Sequence, residues 1–376
     1  MNSEQEIIYA IALSKLNGIG IINANLIYQA FGNATSVFEH RNDIRSVIPD
    51  ASDRIVNIFR DVDYALKEAE REMQFIHGKS VTCLTQSDPA YPHRLMSCPD
   101  APLVLFYCGN ADLNKAKVVS MVGTRKITPY GADLCKTFIA DLQRICPDVM
   151  IVSGLAYGVD IHSHRAALAN GMDTVGVLAH GLDRIYPFPH RQTAVEMTRQ
   201  GGLLTEYTSG TAPERYNFVG RNRIVAGMCD QCIIVESAAK GGSLITANLA
   251  FGYNRSVFAF PGRTTDKYSA GCNKLIQQQK ASIINSADDF IELCGWSDIS
   301  SASSRPQQQE LFLDLTEGER AIVDVMRGYD DLSVNDITNR VGYAYFKTSA
   351  MLFDLEMKCV VSAIGGGRYR LTRGNF

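Results

Sequence analysis

No apolar run in this chain approaches the roughly 18 residues that a membrane-spanning helix requires. The opening MNSEQEIIYA also lacks the basic flank of a secretion signal. The expectation is a cytoplasmic protein without membrane contact. An excess of charge is missing too. Thirty-seven Lys and Arg against 40 Asp and Glu leave a net charge of -3, so no long-range positive field surrounds the molecule and any polyanion has to be held locally.

A metal constellation is equally absent. Cys229 and Cys232 form one CxxC, but a structural zinc site needs four ligands and no second pair supplies the rest. They read as small residues where helix meets strand. Asp160, His162 and His164 stand at i, i+2 and i+4, which do not share one helical face. The ten cysteines read as reduced thiols, because a chain of this length buries a core without disulfide staples.

What is present is an ordinary globular balance, 46% hydrophobic and 20% charged over 376 residues, enough for two or three domains at about 150 residues each. Residues 1–80 carry apolar residues at helical spacing over Ile7 to Leu16, Ala24 to Phe31 and Ile55 to Ile76. Leu16-Asn17-Gly18-Ile19-Gly20 between the first two is similar to a helix-hairpin-helix turn of the SAM-like kind, whose second helix offers free backbone N–H groups to a phosphate. A plain packing corner fits the same residues.

From 81 to 296 short apolar runs alternate with amphipathic helices. The runs are Lys117 to Val122, Val149 to Ser153, Thr174 to Leu178, Leu203 to Glu206, Gln231 to Glu236, Ser256 to Phe260 and Ser282 to Ile284. The expected fold is α/β, a Rossmann-like, doubly wound and mostly parallel sheet. Residues 297–309 (SDISSASSRPQQQ) are polar and low in complexity, a linker. Over 310–376, a capping box at Thr316 and Glu319, a helix start at Ser333, a helix from Ala344 to Lys358 and a hairpin at its end predict a winged helix. That domain has ten acids against eight bases from Pro306 to Phe376. A reader of the duplex groove needs a basic face, so the expectation is that it docks a protein partner or regulates a dimer, with weak DNA contact second.

Ligands of such a sheet collect at the carboxyl ends of its strands, and four loops there are unusual. Gly123-Thr124-Arg125 is followed by Thr128 and Pro129 as N-cap and first residue of a helix, which reads as an anion site. No GxGxxG accompanies it, which counts against a dinucleotide cofactor, and no cofactor is expected. Ser153-Gly154-Leu155-Ala156-Tyr157-Gly158 runs into a helix with Asp160 in its first turn. Asn217 to Arg223 reads as a loop that sets Arg221 and Arg223 beside Asn222; two guanidiniums so close need a shared anion, or acids such as Glu206 or Glu236. Lys240-Gly241-Gly242-Ser243, with Thr246 one turn on, is similar to a phosphate-cradling loop but not to a Walker A loop. Arg191, Arg263, Lys267 and Lys274 lie within reach. No nucleophile or carboxylate pair comes with an obvious base, so no catalytic residue is expected.

The strings MVGTRKITPYG, IVSGLAYGVDIHSHRAAL, GLDRIYP, GGLLTEY, NFVGRNRIVAG, GGSLITA, VFAFPG and GCNKLI resemble, in order, those of the DNA-processing protein A (DprA/Smf) family of bacterial natural transformation. The resemblance implies a binding protein, not an enzyme, that holds and protects incoming single-stranded DNA, loads the RecA recombinase, and forms a homodimer through the Rossmann-like domain. It puts the DNA pocket on Gly123, Thr124, Arg125, Ser153, Gly154, Arg221, Arg223, Gly241, Gly242 and Ser243. Arg191, Asn222, Lys240 and Thr246 join these as candidates from the loop chemistry. Three positions depart from the family pattern: Gly241 for a common serine, Tyr157 for a usual arginine, and Gln279-Lys280 for a usual Gly-Ala pair. Tyr157, Tyr186 and Phe188 are candidates to stack on bases. Two other readings stay open, a phosphoribohydrolase-like nucleotide enzyme, whose PGGxGTxxE motif is missing here, and a nucleotide-sensing regulator.

Overall fold

The computed structural model describes residues 3–296, 315–327, 329, 331–358, 360–363 and 367–371. The linker expected over 297–309 lies outside the described residues. Two compact units result, Met1–Trp296 and Ser297–Phe376.

Five helices open the first unit: α1 (Glu4–Lys15), α2 (Ile21–Phe31), α3 (Ala34–Glu39), α4 (Asp53–Ile58) and α5 (Asp63–His77). Gly18 between α1 and α2 has φ of +89°, a conformation glycine takes without strain. Gly20 is the N-cap of α2 and offers no side-chain cap, which leaves the first N–H groups of that helix open. The single helix expected from Ile55 to Ile76 is instead α4 and α5, because the chain turns at Phe59 to Val62 to bury both of those side chains. The helices pack on Leu103, Val104 and Phe106 in one continuous core.

The sheet begins with β1 (Thr82–Thr85), the short α6 (His93–Met96) and β2 (Val104–Gly109), an antiparallel pair that the sequence pattern did not reveal. There follow β3 (Lys117–Val122), α7 (Pro129–Ile145), β4 (Val149–Ser153), α8 (Val159–Ala169), β5 (Thr174–Val177), α9 (Arg191–Met197), β6 (Gly201–Thr205) and α10 (Arg215–Gly227). The unit ends with β7 (Gln231–Ile234), α11 (Ser243–Gly252), β8 (Ser256–Ala259), α12 (Ala270–Gln277), β9 (Ser282–Ile283) and α13 (Ala287–Cys294). The strand order is β1-β2-β6-β5-β4-β3-β7-β8-β9, and every pairing from β6 to β9 is parallel.

Alternate residues of one strand serve opposite faces. Val118 and Val122 enter the core on one side of the sheet, while Val119 and Met121 enter the core on the other. The α/β, mostly parallel sheet expected from the sequence is what forms. Strand order reverses between β3 and β7, and at such a point the loops leaving the carboxyl ends part to open a crevice.

The second unit holds α14 (Glu317–Met326), β10 (Leu332–Ser333), α15 (Val334–Val341), α16 (Tyr345–Met357), β11 (Val361–Ala363) and β12 (Arg368–Leu371). Its antiparallel sheet runs β10-β12-β11. The expected capping box of Thr316 with Glu319 forms, and Ser333 makes a second one with Asp336. Ile322, Ile337, Leu352 and Leu355 make its core.

Candidate nucleic-acid interface

Five loops leave the carboxyl ends of β5, β4, β3, β7 and β8, which are neighbours in that order. They carry Arg191, Tyr157, Arg125, Lys240 and Arg263, all exposed. With strands about 4.8 Å apart, this row spans roughly 20 Å along one edge of the sheet.

The loop after β3 is held from below. Thr124 N–H donates to the Glu236 carbonyl at 2.7 Å, and the Thr124 carbonyl accepts from Val159 N–H at 3.2 Å. Thr128 caps α7 through its side chain, as its sequence position predicts. The Glu236 carboxylate then accepts from Thr128 N–H at 2.9 Å and from Thr128 Oγ1 at 2.5 Å. A Cβ at Gly131 would sit 2.5 Å from that carboxylate, so glycine in the first turn of α7 makes the approach possible. The N-terminus of α7, expected to receive an anion, is thus filled by the protein's own anion. Arg125 is left facing outward, its guanidinium 5.0 Å from the centroid of the Phe218 ring.

The turn after β4 is built around Arg221. The notional loop Asn217 to Arg223 is in fact part of α10, and residues two apart on a helix point about 200° from each other. Arg221 therefore turns inward, 3% exposed, and its Nη1 donates to the carbonyls of Gly154 at 2.6 Å and Val177. Any side chain at Gly154 would overlap that guanidinium. Burial pulls the Arg221 pKa down and the neighbouring Asp160 charge opposes this; burial pushes the Asp160 carboxyl up, and Arg221 opposes that in turn. Arg223 leaves the other side of α10, where it pairs with Glu206 and donates to the Asp100 carbonyl. Of the two readings left open by the sequence, a shared anion or acids such as Glu206, the structure has Arg223 on Glu206 and Arg221 on backbone carbonyls. Each has its own internal partners, and Asn222 sits half-buried between them.

Leu155 has φ of +54°, a left-handed backbone that a branched side chain adopts only under constraint. Two buried histidines supply it. Leu155 N–H donates to Nε2 of His164 at 3.3 Å, and its carbonyl lies 2.8 Å from Nδ1 of His190. His164 Nδ1 faces Thr174 Oγ1 at 2.7 Å. Burial pulls the His164 pKa down to about 3. Gly158, at φ +79°, lets the turn close on the Thr124 and Arg125 backbone, where a Cβ would overlap.

In the fourth loop Ser243 is buried and donates to Ser237 Oγ at 2.9 Å. Thr246 is buried beneath it, whereas Lys240 and Gly242 are exposed. A Cβ at Gly241 would overlap Ser237 Oγ, so the glycine departure at 241 goes with this serine pair. Of the sequence candidates, then, Gly123, Thr124, Arg125, Ser153, Gly154, Lys240, Gly241, Gly242 and Ser243 come together around the crevice. Arg191 opens α9 farther along the edge.

Sequence reasoning missed Phe218 and Glu236 as parts of this site. Phe218 lies three residues before Arg221 on one face of α10, a spacing readable only once the segment is known to be a helix. Tyr186 stacks at a tilt against Phe218, with centroids 5.7 Å apart. Tyr157 leans on His190 at 4.8 Å, while Phe188 stands 75% exposed. Among the described residues no group of three His, Cys, Asp or Glu could hold a metal ion.

A mostly parallel sheet whose switch-point crevice is rimmed by arginine, lysine and aromatic rings places the protein in the α/β class with a polar crevice at the carboxyl ends of its strands. The profile of the DNA recombination-mediator protein A family matches residues 82–295, and the chain belongs to that family. It is similar to the DNA processing protein DprA of Streptococcus pneumoniae, 37% identical over 62% of this chain and 80% of that one. It is also similar to protein Smf of Escherichia coli, 30% identical over 84% of each. The solved structure of the S. pneumoniae protein superposes with a TM-score of 0.66 at 32% identity, covering 76% of this chain and 97% of that one. DNA processing protein A from Helicobacter pylori, solved for its single-stranded DNA binding mode, matches with a TM-score of 0.52 at 30% identity over 57% and 96%.

Proposed function

We propose that this protein binds single-stranded DNA along the basic, aromatic edge of its parallel sheet, protects incoming strands in the cytoplasm, and loads RecA onto them during natural transformation and recombination. The observation that carries the reading is the Arg125–Phe218–Tyr186 group. It joins a phosphate-binding fork to two adjoining rings that can take unstacked bases. Gly123, Thr124, Lys240 and Gly242 line the groove, while Ser153 and Gly154 are buried behind it, Ser153 Oγ donating to the Met121 carbonyl at 2.6 Å. Arg221, Arg223, Asn222, Ser243 and Thr246 support the groove from within, and Arg191 extends it.

The family's description as recombination mediators supports the loading role; a homodimer through this unit is part of the same proposal. No catalytic step is assigned. The Glu236 carboxylate at the N-terminus of α7 argues against a nucleotide enzyme or sensor, because it occupies the position a ligand phosphate would take. We read the second unit as a winged helix after the linker. Its α16 exposes Phe346, Phe353 and Met357, a poor surface for a phosphate backbone.

The test is fluorescence anisotropy with labelled single-stranded and duplex oligonucleotides at two salt concentrations. The wild type is expected to prefer the single strand. Arg125→Ala is expected to bind more weakly, with a log-log salt slope shallower by about 0.7 for one lost phosphate contact. No binding of either DNA at micromolar protein overturns the reading.

A further inference from the structure

A group of ionisable side chains perturbed by burial lies on the other side of α10 from the crevice. There a cavity of about 340 Å3 opens between the first two helices and the sheet, within the size range of small-ligand pockets. Ile19, Ile21 and Leu103 form its apolar walls, and Lys15, Glu206 and Tyr207 its polar part. Burial lowers the Lys15 pKa and raises those of Glu206 and Tyr207. Convergence of such groups on a cavity marks it as a candidate binding site.

α10 joins this cavity to the crevice. Tyr216, Gly220 and Arg223 line the cavity, at the i, i+4, i+7 spacing of one helical face. Phe218 and Arg221 belong to the opposite face and serve the Arg125 loop. Tyr216 is 82% exposed, a ring standing at the cavity mouth on the first turn of a helix about 10 Å across. The Lys15 ammonium has three donors, and one hydrogen bond to Thr208 Oγ1 at 2.9 Å is described. Glu206, whose Oε2 is bound by Arg223, is the acceptor beside it. Donor and acceptor together inside apolar walls suit a flat, neutral heterocycle with a keto edge and ring N–H groups. They suit a phosphate less well, because Glu206 already takes the Arg223 charge and stands beside Lys15.

From this geometry we infer that the cavity is a nucleobase pocket. It takes one unstacked base of the strand held at Arg125, after the strand crosses the first turn of α10 over Tyr216. The inference rests on the single-strand reading of the crevice and extends it to the amino-terminal helices.

The probe is an oligothymidylate carrying 4-thiothymidine, photocrosslinked to the full-length protein, with the adducts mapped by mass spectrometry. The control is Gly220→Leu, which grows a side chain into the cavity from a helical position where an added Cβ meets only Tyr207 Oη, at 3.2 Å. Adducts are expected on residues 16–41 or on Tyr207 and are expected to vanish in Gly220→Leu. Tyr216→Ala, at a site too exposed to affect folding, is expected to weaken binding at least about fivefold, the lower end of what one base stack is worth, without changing the salt slope. If the wild type binds and crosslinks only beside Tyr186 and Phe218, with Gly220→Leu and Tyr216→Ala binding as the wild type does, this inference falls and the crevice reading stands. If the wild type binds no single strand, both fall.

Discussion

The carboxylate of Glu236 and the N-cap residue Thr128 are joined by two hydrogen bonds, at 2.9 Å to the backbone N–H and 2.5 Å to the hydroxyl. Through them an acid at the end of one strand anchors the loop of its neighbour and sets Arg125 outward. Removal of the carboxylate in Glu236→Ala leaves both Thr128 donors without it. Hydrogen bonds to charged groups are worth about 1.5–3 kcal/mol, so unfolding by urea is expected to show a loss of that order. Single-strand affinity is expected to fall about tenfold as the Arg125 loop loosens. Inorganic phosphate is expected to raise the melting temperature of the variant more than that of the wild type, because α7 regains an open N-terminus. Unchanged affinity would mean that the Thr124–Glu236 backbone bond alone holds the loop.

Arg221 and Arg125 are expected to separate stability from binding. Arg221→Ala leaves Asp160 buried without its cation and two carbonyls without their donor. A loss of about 3–5 kcal/mol is expected in chemical denaturation. Arg221→Lys should not restore it, since an ammonium lacks the planar fork. Arg125→Ala, at an exposed position, is expected to change stability by about 0.5 kcal/mol at most. A mild effect of Arg221→Ala would mean that the turn after β4 holds itself.

Acid should loosen the site through its buried histidines. His164 has a folded pKa of about 3 against 6.5 when unfolded, so the unfolded state binds the proton first. The stability it contributes is complete above about pH 6.5 and is lost as pH falls towards 3. His180 and His190 are lowered by burial as well and act in the same sense. Asp160 and Glu206, raised by burial, act in the opposite sense. The histidine contribution is therefore read by difference. Between pH 7 and pH 5 the wild type is expected to lose about 2 kcal/mol more than His164→Gln. Parallel pH profiles would show that His164 stays hydrated or charged.

Gln279 follows α12 with φ of +56°. Its N–H bonds to the Ile276 carbonyl at 2.9 Å, and Lys280 N–H bonds to that of Leu275 at 3.0 Å. This is the helix-ending pair of bonds in which glycine is favoured at the left-handed residue. Gln279→Gly is expected to stabilise the protein by about 0.5–1 kcal/mol, strain relief exceeding the added freedom of the unfolded chain. A drop in melting temperature would show that the glutamine side chain is held in a favourable contact.

The parallel strands and helix caps were legible because their signals are local. β3 and β4 begin and end where their apolar runs do, and Thr128, Thr316 and Ser333 cap the helices their spacing announces. The antiparallel strands β1 and β2 were not legible. Both faces of each are covered by other parts of the chain, so Val104 to Phe106 shows no alternation. α10 was misread as a loop for a related reason. Three arginines and two glycines interrupt its pattern, and it is held by what Arg221 and Arg223 reach elsewhere.

The sequence by itself determined the fold class, the bounds of several parallel strands and the family, since each depends on patterns a few residues long. Which side chains face the crevice was decided only by tertiary structure. Glu236 meets Thr128 across 108 residues and Arg221 meets Gly154 across 67, distances closed by the strand order β4-β3-β7. A helix set beside that sheet sends Arg221 under it and Arg223 away. The same two letters in the sequence could serve either as ligand-binding forks or as internal ties, and the burial of Arg221 and the pairing of Arg223 with Glu206 made them ties.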